Sequence, residues 1–257
     1  MKTFSIVIPT YNDLTLLQCA LTSVLQQKDA DYEIIITDDS TNSNIQRYIE
    51  SLSDKDIHYY RHQQGAGGTA DNWNFGLQKA TGEYVILMHH DEEMVQDNYL
   101  RHISQLMSSG VDLIISQVNV INEEHQKNQS FLCRWLKSFV CKYPASLFLI
   151  NVIGPCACLT VRREYLQDFN THLRWFVDVE WYYRMLCGKK FIIDKSLTIR
   201  SHHGHQGQIT QNLDVMEVFK SDKSELSDIY STNRTVRLML YLYEHLVLGT
   251  KQLLRKI

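Results

Sequence analysis

The sequence predicts an α/β protein with a mostly parallel sheet flanked by helices. Two observations carry this. Over the first hundred residues, short apolar runs of strand length alternate with amphipathic helical patterns. Each apolar run also ends in a polar loop of unusual composition. Strand and helix in turn require crossover connections, and crossovers make a parallel sheet. At 257 residues the chain is long enough to bury a substantial core in one large domain.

Taken in order, "FSIVIPT" (4–10) is a strand, "DLTLLQCALTSVLQQ" (13–27) an amphipathic helix, "YEIIITDDS" (32–40) a strand and "NIQRYIESLS" (44–53) a helix. "IHYYRHQ" (57–63) follows as a poorly buried strand, then "TADNWNFGLQKA" (69–80) as a helix and "GEYVILMHH" (82–90) as a strand. Ligands of such sheets collect beyond the carboxyl ends of the strands, so the loops after Pro9, Thr37, Gln63 and Met88 belong to one rim. "DNYLRHISQLMSS" (97–109) is a helix and "VDLIISQVNVI" (111–121) a strand. Residues 123–150 are expected to pack as helices around an acceptor site. "CACLTVRREYL" (156–166) reads as a strand running into a helix, "VDVEWYYRMLCG" (177–188) as a helix and "KFIIDKSLTIRSHH" (190–203) as a strand pair entering a histidine-rich loop. The last residues, 233–257, form a helical pattern with basic ends. No internal repeat or low-complexity tract interrupts the chain.

A hydrophobic fraction of 44%, a charged fraction of 21% and a formal net charge of −3 are ordinary for a globular protein and exclude a generally basic nucleic-acid binder. The six cysteines form no CxxC pair and nothing at the N-terminus resembles a signal peptide, so reduced thiols in the cytoplasm are expected. "CAC" (156–158) has the chemistry of a zinc ligand pair but no second pair at suitable spacing, which favours a structural role. No run reaches transmembrane length; the nearest, "SLFLINVIGPCACLTV", is broken by Gly154 and Pro155. The C-terminal helix, with Arg234, Arg237, Lys251, Arg255 and Lys256 around an apolar stretch, either packs on its own domain or lies on an anionic membrane surface, and with it the aromatic and basic mixture of "FLCRWLKSFVCKYP" (131–144) would suit a lipid-linked glycan at the inner face of a membrane.

Five motifs carry chemistry. In "TDDS" (37–40) a capping role needs one carboxylate and two are present, so Asp39 is open to an imide or a ribose hydroxyl. "GAGGTA" (65–70) satisfies the dinucleotide pattern G-x-G-x-x-A, with Asp91 about 20 residues on. It follows the third strand, however, while the first strand–turn–helix unit has no glycine. "LMHHDEEM" (87–94) crowds two histidines and three carboxylates at a strand end. Strand alternation lets only two or three share a ligand, and the choice lies between a solvated acidic turn and a site for Mg²⁺ or Mn²⁺ on a diphosphate. In "FVDVEWYYR" (176–184), Asp178 and Glu180 stand among aromatic residues whose burial would raise a carboxylate's pKa toward that of a proton acceptor. Their alternative role is to favour the start of a helix. "RSHHGHQGQIT" (200–210) supplies three histidines with two glycines and reads as a mobile loop able to reach phosphate or metal.

Together and in this order these residues resemble the inverting, nucleotide-sugar-dependent glycosyltransferases of the GT-A fold, family 2. "SIVIPTYN" resembles that family's opening strand and turn, "EIIITDDS" its nucleotide-binding strand, and "DNWNFGLQKATGEYVILMHHDEE" the helix and strand leading to its metal motif. "FVDVEWYYRM" resembles its acidic catalytic helix and "IRSHHGHQGQIT" its closing Arg-x-His loop. The resemblance implies a GT-A (Rossmann-like) catalytic domain over residues 1–210, with a nucleotide-sugar half (1–105) and an acceptor half (106–210), and a helical C-terminal extension over 211–257. It implies that Pro9, Thr10 and Tyr11 line the base and ribose pocket, that Asp39 holds the uracil or equivalent base, and that Asn72 lies beside the donor. Asp91 would bind Mn²⁺ or Mg²⁺ on the diphosphate and Asp178 would be the catalytic base, with Glu180 as the alternative. Arg200 and His202 would stabilise the leaving group.

The usual D-x-D is H-x-D here, leaving open whether His89, His90 or Glu92 assists Asp91; His90 is counted with the substrate-binding residues. The implied activity is transfer of a sugar, from a UDP-sugar, to a glycan or lipid-linked acceptor of a bacterial surface polysaccharide. The implied location is the cytoplasm or the inner face of the cytoplasmic membrane. Competing readings are an NAD(P)-dependent oxidoreductase resting on "GAGGTA", a histidine-rich metal hydrolase, and a non-catalytic nucleotide-sugar-binding module.

Overall fold

The polypeptide opens with the predicted alternation. In the computed structural model, which describes residues 2–52, 54–62, 68–122, 125–128, 131–204 and 214–249, β1 (Phe4–Thr10) leads to α1 (Leu14–Leu25), β2 (Tyr32–Asp38), α2 (Asn44–Ser51), β3 (Ile57–Arg61), α3 (Gly68–Leu77) and β4 (Tyr84–Leu87). The three residues of β5 (Glu92–Met94) precede α4 (Tyr99–Met107), β6 (Leu113–Asn122), β7 (His125–Asn128) and α5 (Phe131–Lys142). Then come β8 (Leu159–Arg162), α6 (Val177–Leu186), β9 (Phe191–His202), α7 (Val215–Ile229) and α8 (Arg234–Leu242), which continues as a π-helical turn over Tyr243–Leu248.

Among the described residues nine strands form one mixed sheet in the order β3-β2-β1-β4-β8-β6-β9-β5, with β7 paired to β6. The first four are parallel, as expected. Beyond β4 the pairing turns antiparallel through β8, with β9 parallel to β6 and β5 antiparallel to β9. Ile6, Ile8, Ile34, Ile36, Leu17 and Leu21 are wholly buried, each stabilising the fold by about 1.5–3 kcal/mol. Asp13 caps α1 by accepting from the Leu16 N–H at 3.0 Å. Helix α3 comes so close to β1 that a Cβ on Gly76 would stand 2.5 Å from Val7, so only glycine allows that packing. β3 is the half-buried edge strand its composition predicts.

Four local outcomes differ from expectation. The strand pair in 190–203 is one strand, β9, which runs parallel to β6 on both sides of a bulge; Asp194 closes that bulge by accepting from the Ser196 and Leu197 N–H groups. The helix expected after Arg162 is a single 3-10 turn, because the Arg163 N–H and guanidinium donate to the Glu83 and Gly82 carbonyls and hold the chain to the start of β4. "EEM" is a strand rather than a turn because β9 supplies its ladder. The polar start of the 123–150 segment contains strand β7 before α5 begins. Cys156 and Cys158 are thiols that lie wholly in the core, consistent with a packing role for "CAC". Among the described residues no helix is long and apolar enough to cross a membrane.

Candidate active site

Strands β2 and β3 build outward from one side of β1, whereas β4 lies on its other side. The order therefore reverses between β1 and β4, and a crevice opens there at the carboxyl ends of the strands. The Pro9 carbonyl at the end of β1 and the His90 Nδ1 beyond β4 face each other across it at 3.3 Å. Burial pushes the His90 pKa down. Thr10 is buried, while Tyr11 stands 44% exposed at the lip. Next to it, Asn12 adopts a positive φ of 54° and ties this loop to the one after β2. Its N–H donates to Ser40 Oγ at 2.7 Å and its Oδ1 accepts from the Thr41 N–H at 2.9 Å.

The two aspartates of "TDDS" have separate jobs. Asp38 is fully buried and accepts from the Tyr59 hydroxyl at 2.8 Å, Arg61 at 2.9 Å and the Ser40 N–H at 2.8 Å, which locks the loop. Asp39 stands at the rim, its N–H donating to the Thr10 carbonyl at 3.1 Å and its carboxylate 2.6 Å from His62 Nδ1. Burial holds its pKa above the ordinary aspartate value, with His62 opposing. Asn72, on α3, donates to the Thr37 carbonyl at 3.2 Å, so it lies against the end of β2.

In "LMHHDEEM" the turn folds back on itself. Glu92 accepts from the His89 N–H at 3.0 Å and lies 3.0 Å from His89 Nδ1. Trp73 packs on the His89 ring with centroids 4.7 Å apart. One ligand atom each from His89, Asp91 and Glu92 lie within 4.8 Å of one another. Burial disfavours a charged His89 ring, yet Glu92, Asp91 and Asp178 outweigh it and keep its pKa above the usual histidine value. Glu92 is pushed upward by burial. An imidazole and two carboxylates at this separation suit a divalent transition ion, and the buried His89 Nε2 has no hydrogen-bond partner among the described residues.

Asp178 opens α6 and is half-buried. Asn151 donates to its Oδ2 at 3.0 Å, and the Val179 N–H donates to its Oδ1 at 2.8 Å. Desolvation prevails over these bonds and raises its pKa to about 6, in the range of a working base. The residue at the N-cap of α6, Phe176, makes no capping bond with its side chain. Asp222 of α7, wholly buried, holds the turn that leads into the helix by accepting from the Arg174, Trp175 and Phe176 N–H groups, the last two at 2.7 and 2.8 Å. Asn151 is itself held by the Ile153 and Gly154 N–H groups, in a loop where Gly154 takes φ +102° against Val118.

Two predicted regions are not brought to Asp178. Glu180 is buried in an ion pair with Arg184 at 2.7 Å and accepts from the Tyr230 hydroxyl at 2.6 Å, so its carboxylate faces the α7 side of the helix. Arg200 and His202 grip Glu93 at 2.9 and 2.6 Å. Glu93 pairs in register with Arg200 and therefore points to the opposite face of the β5–β9 ribbon from Glu92. The His202 N–H still reaches the Asp91 carbonyl at 2.8 Å. The loop from residue 205 onward and positions 65–67 of "GAGGTA" lie outside the described residues; Gly68 to Ala70 open α3.

Four predicted or neighbouring site residues, Thr10 (Oγ1), Asn72 (Oδ1), His89 (Nε2) and Arg200 (Nε), present buried polar atoms that lack a partner among the described residues. Such atoms are rare in native proteins and mark places where a ligand completes the bonding. The residues missed from sequence are Asn12, His62, Trp73, Asn151 and Asp222. Of these, Asn12 and His62 adjoin motifs that the sequence does single out, whereas nothing local to Asn151 or Asp222 signals their reach across the chain.

A family model described as Glycosyl transferase family 2 matches residues 5–169. The Campylobacter jejuni protein GalNAc(5)-diNAcBac-PP-undecaprenol beta-1,3-glucosyltransferase is 33% identical over 97 residues, which cover 37% of this chain and 31% of that protein's length. The Escherichia coli protein UDP-Glc:alpha-D-GlcNAc-diphosphoundecaprenol beta-1,3-glucosyltransferase WfgD is 25% identical over 186 residues, 71% of this chain and 68% of that one. The chain thus matches less than a third of the first relative's length and about two thirds of the second's. Among solved structures, S. aureus TarS 1–349 in complex with UDP-GlcNAc superposes with a TM-score of 0.70 at 16% identity, covering 95% of this chain and 71% of that one. That likeness is one of fold, and the fold is GT-A. The family match replaces the oxidoreductase and hydrolase readings: the chain belongs to glycosyl transferase family 2.

Proposed function

We propose that the chain is an inverting glycosyltransferase that moves a sugar from a UDP-sugar to a hydroxyl of a lipid-linked glycan acceptor, in bacterial surface polysaccharide synthesis at the cytoplasmic face of the membrane. The observation that carries the reading is Asp178, a half-buried carboxylate with a pKa of about 6, steadied by Asn151 and within electrostatic reach of His89 in the His89–Asp91–Glu92 cluster. The names of both relatives contain undecaprenol-linked substrates, which supports the acceptor class.

On the donor side, Asp39 would accept from the imide N–H of the base. Thr10 and Asn72 offer their unpartnered atoms to the nucleotide sugar, and Pro9 and Tyr11 frame it. Asp91, with His89 and Glu92, would hold a divalent cation, and the imidazole in the set favours Mn²⁺ over Mg²⁺. When bound, the cation would neutralise charge on the departing diphosphate. Asp178 takes the proton from the acceptor hydroxyl as its oxygen attacks the anomeric carbon from the side opposite the leaving group, and one displacement inverts that centre. Trp73, packed on His89, keeps water from that side of the cluster.

The test is thermal unfolding with UDP, GDP and NAD, each with and without Mn²⁺, followed by a donor screen that reads released nucleotide. A Mn²⁺-dependent shift with UDP, abolished in Asp91→Ala, is expected. Stabilisation by NAD alone would sink the transferase reading.

A further inference from the structure

Helix α5 carries an aromatic face that the other described residues leave uncovered. Trp135, Phe139 and Tyr143 follow one another at a spacing of four residues and are 69%, 59% and 52% exposed. This spacing places them on one side of the helix and its end, a stripe about 12 Å long. The rings of Phe139 and Tyr143 touch, with centroids 5.0 Å apart. The opposite side is anchored: Val140 and Cys141 are buried, and the fully buried Lys137 donates to the Ser116 carbonyl at 3.0 Å and the Ile153 carbonyl at 3.4 Å. The aromatic stripe is therefore held outward by a rigid attachment and does not arise from a loosely placed helix.

Charge identifies the occupant. Arg134 and Lys142 are exposed beside the stripe, and Phe131–Lys142 contains no carboxylate. The whole chain has a net charge of −3, so this cationic, aromatic face is a local departure. A protein core would be met by aliphatic side chains without flanking cations. Exposed Trp, Phe and Tyr framed by Arg and Lys match a bilayer interface, where rings sit at headgroup depth and cations meet anionic lipid.

The position is apt. The chain leaves α5 through the 3-10 turn Pro144–Phe148 and reaches Asn151, which holds Asp178. The C-terminal helix singled out from sequence is the weaker candidate. Its described part does expose Leu238 and Tyr241 near Arg234 and Arg237, but Glu244 follows within two turns and pairs with Lys223.

We propose that the Trp135–Phe139–Tyr143 face of α5 docks the protein on an anionic bilayer, bringing Asp178 to acceptors anchored there. The proposal rests on the lipid-linked acceptor reading for its purpose, but its test does not. The full chain is sedimented with vesicles of phosphatidylglycerol and phosphatidylethanolamine, and in parallel with neutral phosphatidylcholine vesicles.

Binding to the anionic vesicles is expected, weakened more than about tenfold in Trp135→Ser/Phe139→Ser. Arg134→Gln and Lys142→Gln should each weaken it about fivefold. Because these side chains are exposed, the variants should keep the wild-type unfolding temperature and the UDP-induced shift. Absence of anionic-vesicle binding, or equal binding by the double serine variant, overturns the proposal. So does a concentration-dependent dimer that the double variant abolishes, since the face would then be a contact between copies. If vesicle binding depends on the aromatics while no donor releases nucleotide, the docking surface stands and the transferase reading falls. Transfer without vesicle binding overturns the docking surface and leaves the transferase reading in place.

Discussion

The two halves of the sheet make their sites in different ways. Between β1 and β4, functional groups sit at the ends of consecutive parallel strands, within a residue or two of a buried apolar run. Strand geometry alone delivers Thr10, Asp39 and His90 to one rim. Around Asp178 the supports come from far away: Asn151 reaches across 27 residues and Asp222 across more than 40 to fix the start of α6. A parallel sheet gives a binding rim as a by-product of its topology, whereas the Asp178 carboxylate of the second half is positioned by polar side chains that each have to be present.

Substitutions can break or sharpen that contrast. The largest effect is expected from Asp178→Asn, which should lower turnover about a thousandfold, within the range of lost general bases, while leaving UDP binding intact. Nucleotide release and UDP-induced stabilisation measured on one preparation separate the two halves. Asp222→Ala comes next. It strands three backbone N–H groups, that of Phe176 buried, and should cost about 3 kcal/mol in urea unfolding, with turnover falling and the UDP response kept. If UDP affinity fell in proportion, the halves would not be independent.

The pH profile follows from the sign of the Asp178 shift. Burial raises its pKa to about 6, and the base works ionised, so kcat/KM should fall about tenfold per unit below that value. Asn151→Ala removes a donor that favours the carboxylate, so the acid limb should move to higher pH. Smallest is Glu93→Gln, which loosens the grip on Arg200 and His202 and should cost no more than about 1 kcal/mol, with turnover near wild type. A loss comparable to Asp178→Asn would instead place that ribbon in the donor chemistry.

What could be read from sequence divides along the same line. The strands and helices up to α3 and β4 follow from apolar periodicity, and the rim follows from their order. The tight link of His89 to Glu92 is hidden because five polar residues in a row leave alternation as the only guide. Arg200 and His202 point to the diphosphate by motif, but the partner that holds them is set by β9 pairing with a three-residue strand too short to carry a pattern. Asn151 sits in an irregular segment, and Asp222 looks like any charged residue on an amphipathic helix until the fold brings it to the Arg174–Phe176 backbone.

The Asp222 bonds also bear on how such chains can be recombined. They cross the position after residue 210 at which an expected catalytic domain gives way to its helical tail. A chimaera joined there would inherit α6 from one parent and the carboxylate that holds the turn before it from another. Its parents would need an acidic residue at the same turn of α7, so the exchange of tails is constrained by one buried side chain.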